Sequence, residues 1–351
     1  MFQRLVLSAV LVAAVLGCGK KKTVEDTGAG SGGGPSAGSG GGSGAGSGED
    51  SGEDSGGDPN ATYTIKLREL KAGDKVQQSL TGTTTRTTSY EPKGTIEPEE
   101  VREKRRYEYV EEILERKAGE QATRARRVYK TAERTENGKK LTEVFQNKTV
   151  LIDKQPGGYR FRIEGGGPIT GPDAKHLERS FNDDPHTSNQ EMLPDRPVKL
   201  NETWSIDKEV IAREFAGDRH AFTVDLEKTT ATGKLTRVYR KGGQQFGVIQ
   251  LRLNLPVKDL KFQSGAKLKP GARMTADLTL DTCIDGSVSD NEAKARFTFE
   301  FAATLPSKKG GATEMRMVGD ATEEESEKQI ASVSPADTET GGAKASSPRR
   351  K

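Results

Sequence analysis

Phe297, Phe299 and Phe301 stand two residues apart, with Thr298 and Glu300 between them. In an extended chain that spacing puts the three rings on one side and the polar residues on the other. The same period recurs upstream. Phe222, Val224 and Leu226 alternate with Thr223, Asp225 and Glu227, and Met274, Ala276, Leu278 and Leu280 alternate with Arg273, Thr275, Asp277 and Thr279. Leu235–Arg240 and Gly247–Leu255, which carries Ile249, Leu251 and Leu253, flank a turn at Lys241-Gly242-Gly243. Strands that are apolar on one side only suit an antiparallel sheet wetted on one face.

The N-terminal half reads the same way. Tyr63, Ile65 and Leu67 alternate with Thr64, Lys66 and Arg68, and a Thr-rich strand covers Lys75–Tyr90. Val101–Lys117 carries conflicting signals. Val110, Ile113, Leu114 and Lys117 have helical spacing, whereas Tyr107, Tyr109 and Val110 favour a strand, and the regular turns that follow decide for strand. Thr123–Arg134 and Leu141–Phe145 flank the hairpin signal Glu136-Asn137-Gly138. Thr149–Asp153 and Tyr159–Glu164 flank Pro156-Gly157-Gly158. Val198–Ile206 holds the only tryptophan, Trp204, and Thr313–Val318 reads as a last strand. Two short helices are expected, Asp173–Phe181 and Lys208–Phe215. The fold class is mainly β: a large antiparallel sheet of about ten strands, curved as a half-barrel or sandwich-like.

Arg4 followed by the apolar run Leu5–Leu16 has the form of a signal peptide, too short to span a bilayer comfortably. Val15-Leu16-Gly17-Cys18 at its end resembles the lipobox of bacterial lipoproteins. The resemblance implies cleavage after residue 17 and a lipidated Cys18 as the first mature residue. It also implies a place in the cell envelope, and Gly19, where Asp would signal inner-membrane retention, favours the outer membrane. Residues 18–59 form a Gly/Ser-rich tether with an r.m.s. reach of about 30 Å. Residues 60–320 form the β domain, and residues 321–351, rich in Glu, Ser, Thr, Pro and Lys, read as a disordered polar tail.

The chain has 55 Lys and Arg against 52 Asp and Glu. That near-balance argues against a nucleic-acid binder. The charges crowded between Glu99 and Lys130 read as a solvated surface of mixed sign. Two cysteines, Cys18 and Cys283, allow neither an internal disulfide, once Cys18 is lipidated, nor a Cys-based zinc site. By strand parity Cys283 falls on the polar face.

No motif assigns chemistry. His176, Asp183, Asp184 and His186 are close in sequence but have no metal-ligand spacing, and His220 stands alone. Neither a Gly-x-Ser-x-Gly elbow nor a phosphate-binding Gly-x-x-x-x-Gly-Lys occurs. The reading is a non-enzyme without cofactor or metal.

Leu70-Lys71-Ala72-Gly73-Asp74, Thr149-Val150-Leu151-Ile152 with Gly158-Tyr159, and Leu193-Pro194-Asp195-Arg196-Pro197-Val198-Lys199 leading to Trp204 resemble an uncharacterised family of bacterial, often planctomycete, lipoproteins. The resemblance implies a β-rich envelope domain and no activity. Where such proteins often have Gly-Asp before the Trp, this chain has Asn201-Glu202-Thr203.

Two functions fit these readings. In one, the sheet holds a lipid or other apolar ligand, lined by Trp204, Leu251, Leu278, Phe297, Phe299 and Phe301. In the other, the same residues are ordinary core and the domain is an envelope scaffold or protein-interaction module. The apolar rows outrun the cover that two short helices provide, which favours the ligand. A carrier leaves its apolar face uncovered by other layers, whereas a scaffold buries it.

Overall fold

The computed structural model describes residues 57–91, 97–182, 190–215, 222–260, 266–306 and 312–330. The signal segment, Cys18, nearly all of the tether and the chain beyond residue 330 lie outside them. The chain begins with β1 (Thr62–Tyr63) and three long strands, β2 (Lys75–Glu91), β3 (Glu99–Glu115) and β4 (Arg124–Glu136). β5 (Lys139–Thr142), β6 (Thr149–Gln155) and β7 (Gly158–Ile163) precede helix α1 (Gly171–Asn182). β8 (Val198–Lys199) and β9 (Thr203–Ser205) lead to helix α2 (Lys208–Phe215). The remainder is β10 (Phe222–Val224), β11 (Thr230–Lys241), β12 (Gln244–Leu260), β13 (Lys267–Leu268), β14 (Arg273–Cys283), β15 (Asp290–Pro306) and β16 (Ala312–Ile330).

Fourteen of the strands form one antiparallel sheet that does not close into a barrel. Its main path runs β7-β6-β4-β3-β2-β16-β15-β14-β12-β11-β9, with β5 on β4, β10 on β12 and β13 on β15; β1 and β8 pair separately. Neighbours in sequence are mostly neighbours in space, as short hairpins require. The exception is the pairing of β2 with β16, which joins the two ends of the domain in the middle of the sheet. Asn137 and Gly138 both take positive φ (47° and 81°), the backbone that a two-residue hairpin needs.

The register extends the two-residue period across the whole sheet. One row runs Trp204, Gly233, Leu251, Leu278, Ala295, Glu323, Gly82, Arg105, Arg134, from β9 to β4. Side chains of this parity point to the buried face, and the opposite face is wet. There, cross-strand ion pairs such as Arg296–Asp320 (2.8 Å) and Arg316–Glu300 (2.6 Å) link β15 to β16. Such exposed pairs contribute little each.

Burial along this face falls into two apolar clusters. The larger spans β9 to β16 and includes Ile211 of α2, together with Tyr63, Ile65, Met192 and Val198. The smaller spans β2, β3, β4, β6 and β7, and Leu177 and Phe181 of α1 pack on it.

The domain does not stop at Asp320. β16 continues to Ile330, pairing with β15 on one side and β2 on the other. Its Glu-rich sequence reads as a tail because three successive inward positions, Glu323, Glu325 and Glu327, carry carboxylates. All three are buried, and Glu323 and Glu327 have polar partners on other strands. The charged stretch in β3 and β4 likewise is not all surface. Arg127 is fully buried, hydrogen-bonded to Glu111, with its guanidinium 4.9 Å from the Tyr109 ring centre. Cys283 is buried, not on the wet face. It ends β14, where alternation lapses, and its Sγ lies 3.0 Å from Asp285 Oδ1. Phe145 falls outside β5, in the turn after it, and is fully buried.

Candidate functional site

The six residues expected to line a ligand face do come together in the larger cluster. β9 places Trp204 opposite Gly233, and the indole occupies the space a side chain would fill: a Cβ at 233 would lie 2.2 Å from Trp204 Cε2. Its Nε1 donates to the Met192 carbonyl at 3.1 Å, which satisfies the buried polar edge of the ring. Leu251 and Leu278 are direct cross-strand partners. Phe297 lies between Ala276 and Ala321, Phe299 between Met274 and Gly319. The Phe299 and Phe301 rings stack at 5.4 Å.

These side chains are laid out over β9, β12, β14 and β15 and do not converge on one point. Each is at most 6% exposed. Small residues sit under large ones, Gly233 under Trp204 and Gly319 under Phe299, so the layer interdigitates as a protein core does. A bare apolar wall would leave the rings accessible.

The row that begins at Trp204 changes character at β16. Arg105 Nη2 donates to Glu323 Oε1 at 2.6 Å. Glu327 accepts from Gln78 Nε2 (2.7 Å), from Asn291 Nδ2 (3.1 Å) and from the Ser289 hydroxyl, and Tyr109 donates to Gln78. A polar seam thus runs between the two apolar clusters. Burial pushes the Glu323 carboxyl up to about 8; Arg105 opposes this and the neighbouring Glu325 adds to it. Glu323 is therefore mostly protonated at neutral pH. The seam escapes sequence reading because β16 pairs with strands that lie more than 200 residues away at its β2 side. The one available signal is the i, i+2, i+4 spacing of the three glutamates, which matches the strand period.

No group of three or more His, Cys, Asp or Glu among the described residues is arranged to hold a metal. His176 lies on α1 with its ring 5.2 Å from that of Tyr107, while Asp183, Asp184, His186 and His220 lie outside the described residues. No helix among the described residues is long and apolar enough to cross a membrane.

No known protein family and no curated protein matches the chain. Among solved structures it is similar to lipovitellin, in a structure concerned with lipid–protein interactions in that protein, with a TM-score of 0.36 and 10% identity. The match covers 80% of this chain and spans about a quarter of the other, 27%.

Proposed function

We propose that this protein is a non-enzymatic bacterial envelope lipoprotein, anchored through Cys18, whose sheet acts as a structural or protein-interaction scaffold. The observation that carries this reading is the burial of Trp204, Leu251, Leu278, Phe297, Phe299 and Phe301 in one interdigitated layer. The sequence preference for an apolar ligand rests on rows that two helices cannot cover. Those rows are nonetheless buried, in one cluster with Ile211 of α2, Tyr63, Ile65, Met192 and Val198. The anchor rests on the lipobox alone, and membership of the planctomycete-type lipoprotein family is part of the same proposal.

Native mass spectrometry and organic extraction of the purified, non-lipidated domain test the scaffold. A ligand-free protein is the expected result. Stoichiometric lipid that disappears in folded Leu251→Asp or Phe299→Asp would restore the carrier. The anchor is tested separately with Cys18→Ala, which should move the full chain from the membrane to the soluble envelope fraction.

A further inference from the structure

β11 pairs with β12 from Thr230 to Lys241, but on its other edge β9 covers only Thr232–Lys234. Beyond β9, single backbone bonds continue along that edge. Asn201 N donates to Leu235 O at 2.7 Å, and Gly57 N donates to Val238 O at 2.7 Å. Past Val238, no strand among the described residues pairs with it. An open strand edge is a template for one more strand.

Gly57 is held on this edge by more than its hydrogen bond. A Cβ there would lie 2.6 Å from the Tyr63 hydroxyl and 2.8 Å from Val238 Cβ, so a side chain at 57 would displace both. The Tyr63 hydroxyl in turn donates to Asp58 O at 3.0 Å. After Gly57 the chain runs toward the Leu235 end of the edge. Thr62 and Tyr63 pair with Lys199 and Val198, and Asn201, just beyond them, bonds Leu235. The chain before Gly57 therefore leaves toward Arg240 and Lys241, antiparallel to β11. Continuing the Gly57–Val238 pairing sets Ser55 opposite Arg240 and Asp54 opposite Lys241. Glu53 then lies diagonal to Arg240 on the same face, roughly 7–8 Å away and within reach of a long side chain.

Charge matches this register. Arg237, Arg240 and Lys241 make the end of β11 basic. Arg237 and Lys241 also reach Asp281 (3.6 Å) and Asp290 (3.3 Å). Arg240 is exposed and has no carboxylate partner among the described residues. Between Thr23 and Asn60 the chain has no Lys or Arg, and the acidic pair nearest upstream of Gly57 is Glu53-Asp54. We propose that Glu53–Gly56 adds to the free edge of β11 as a short antiparallel strand, matched in charge to Arg240 and Lys241. The tether then leaves the domain at the β11–β12 turn, and the edge is closed to a second copy of the chain. This docking rests neither on the scaffold reading nor on the lipid anchor. Its consequence does involve the anchor: in a chain held through Cys18, the Gly242-Gly243 turn faces the membrane.

Backbone 15N relaxation of the full chain carrying Cys18→Ala tests the docking, with sedimentation of the same samples. Order parameters should exceed about 0.8 from Glu53 to Gly56 and stay below about 0.6 in the Gly/Ser run before Gly48. Glu53→Lys with Asp54→Lys should bring the first set below about 0.6. Arg240→Glu with Lys241→Glu should do the same, and the four substitutions together should restore order. Glu49→Lys with Asp50→Lys, beyond the end of β11 in this register, should leave the values unchanged. Low order parameters through Glu53–Gly56 in the wild type would overturn the proposal. So would order that survives both reversals, or order that appears only in a sedimenting dimer, which would make a second copy the occupant of the edge.

Discussion

Arg105 reaches Glu323 by passing over Gly82. The three residues are register partners on β3, β16 and β2, and a Cβ at 82 would lie 2.7 Å from Arg105 Nε. The glycine is thus what lets a β3 side chain reach two strands away. The contact is almost dry, with Glu323 at 2% exposure, and with the carboxyl mostly protonated at neutral pH it is a hydrogen bond from a charged donor. Removing Arg105 leaves the buried carboxyl oxygen without that donor. Arg105→Ala should therefore cost about 1–3 kcal/mol near neutral pH. Adding Glu323→Gln should recover part of that loss. Urea unfolding of the single and double variants measures both.

The same carboxyl sets a pH dependence. Its folded value, about 8, lies above the ordinary 4.5, so the folded state binds more protons than the unfolded one between those limits. Stability must fall as pH rises from about 4.5 to 8, and this group adds no further loss above 8. Thermal unfolding of the wild type should give a higher Tm at pH 5 than at pH 8. Glu323→Gln should flatten that slope and raise the Tm at pH 8. An unchanged slope in the variant would assign the dependence to other groups.

Gly233 answers to Trp204 as Gly82 does to Arg105, but the neighbour is a rigid ring within a packed layer. Gly233→Ala puts a methyl group where the indole lies. The ring must tilt, straining its bond to the Met192 carbonyl. Overpacking of this kind costs about 1–3 kcal/mol. Trp204 fluorescence should shift together with the urea midpoint, because the probe is the group displaced.

Strand period made most of this sheet legible. Leu251, Leu278 and Phe297 fall on the buried face that their spacing assigns, and both helices form close to the expected bounds. Two things were hidden, for one physical reason. Period tells which residues share a face, but not what lies on the next strand. Glu323, Glu325 and Glu327 keep the strand period, yet Arg105 on Glu323, and Gln78, Asn291 and Ser289 on Glu327, are brought close only by pairing. Arg127 and Glu111 look like surface charges until β3 and β4 pair and set them side by side. The same limit applies to the six proposed ligand residues. Sequence places them on one face, and only the packed strands show that each of them is buried.

Where the domain ends is therefore testable by truncation. A chain stopped at Asp320 keeps Thr313–Val318 and loses Ala321–Ile330. It loses the ladder from Ala321↔Thr84 to Ile330↔Lys75 on β2, and the matching pairs on β15. Arg105 and Gln78 would then be left at the centre of the sheet without Glu323 and Glu327, in surroundings made for charge-assisted bonds. The N- and C-terminal halves of the sheet would also be joined by only the first part of β16. We expect the chain ending at Asp320 to lose cooperative unfolding and to aggregate through the uncovered edge of β2. The chain ending at Ile330 should unfold in a single transition with the Tm of the full-length protein. Circular dichroism melts of the two truncations decide between a boundary at 320 and one at 330, and equal Tm values would show that the last ten residues of β16 contribute nothing.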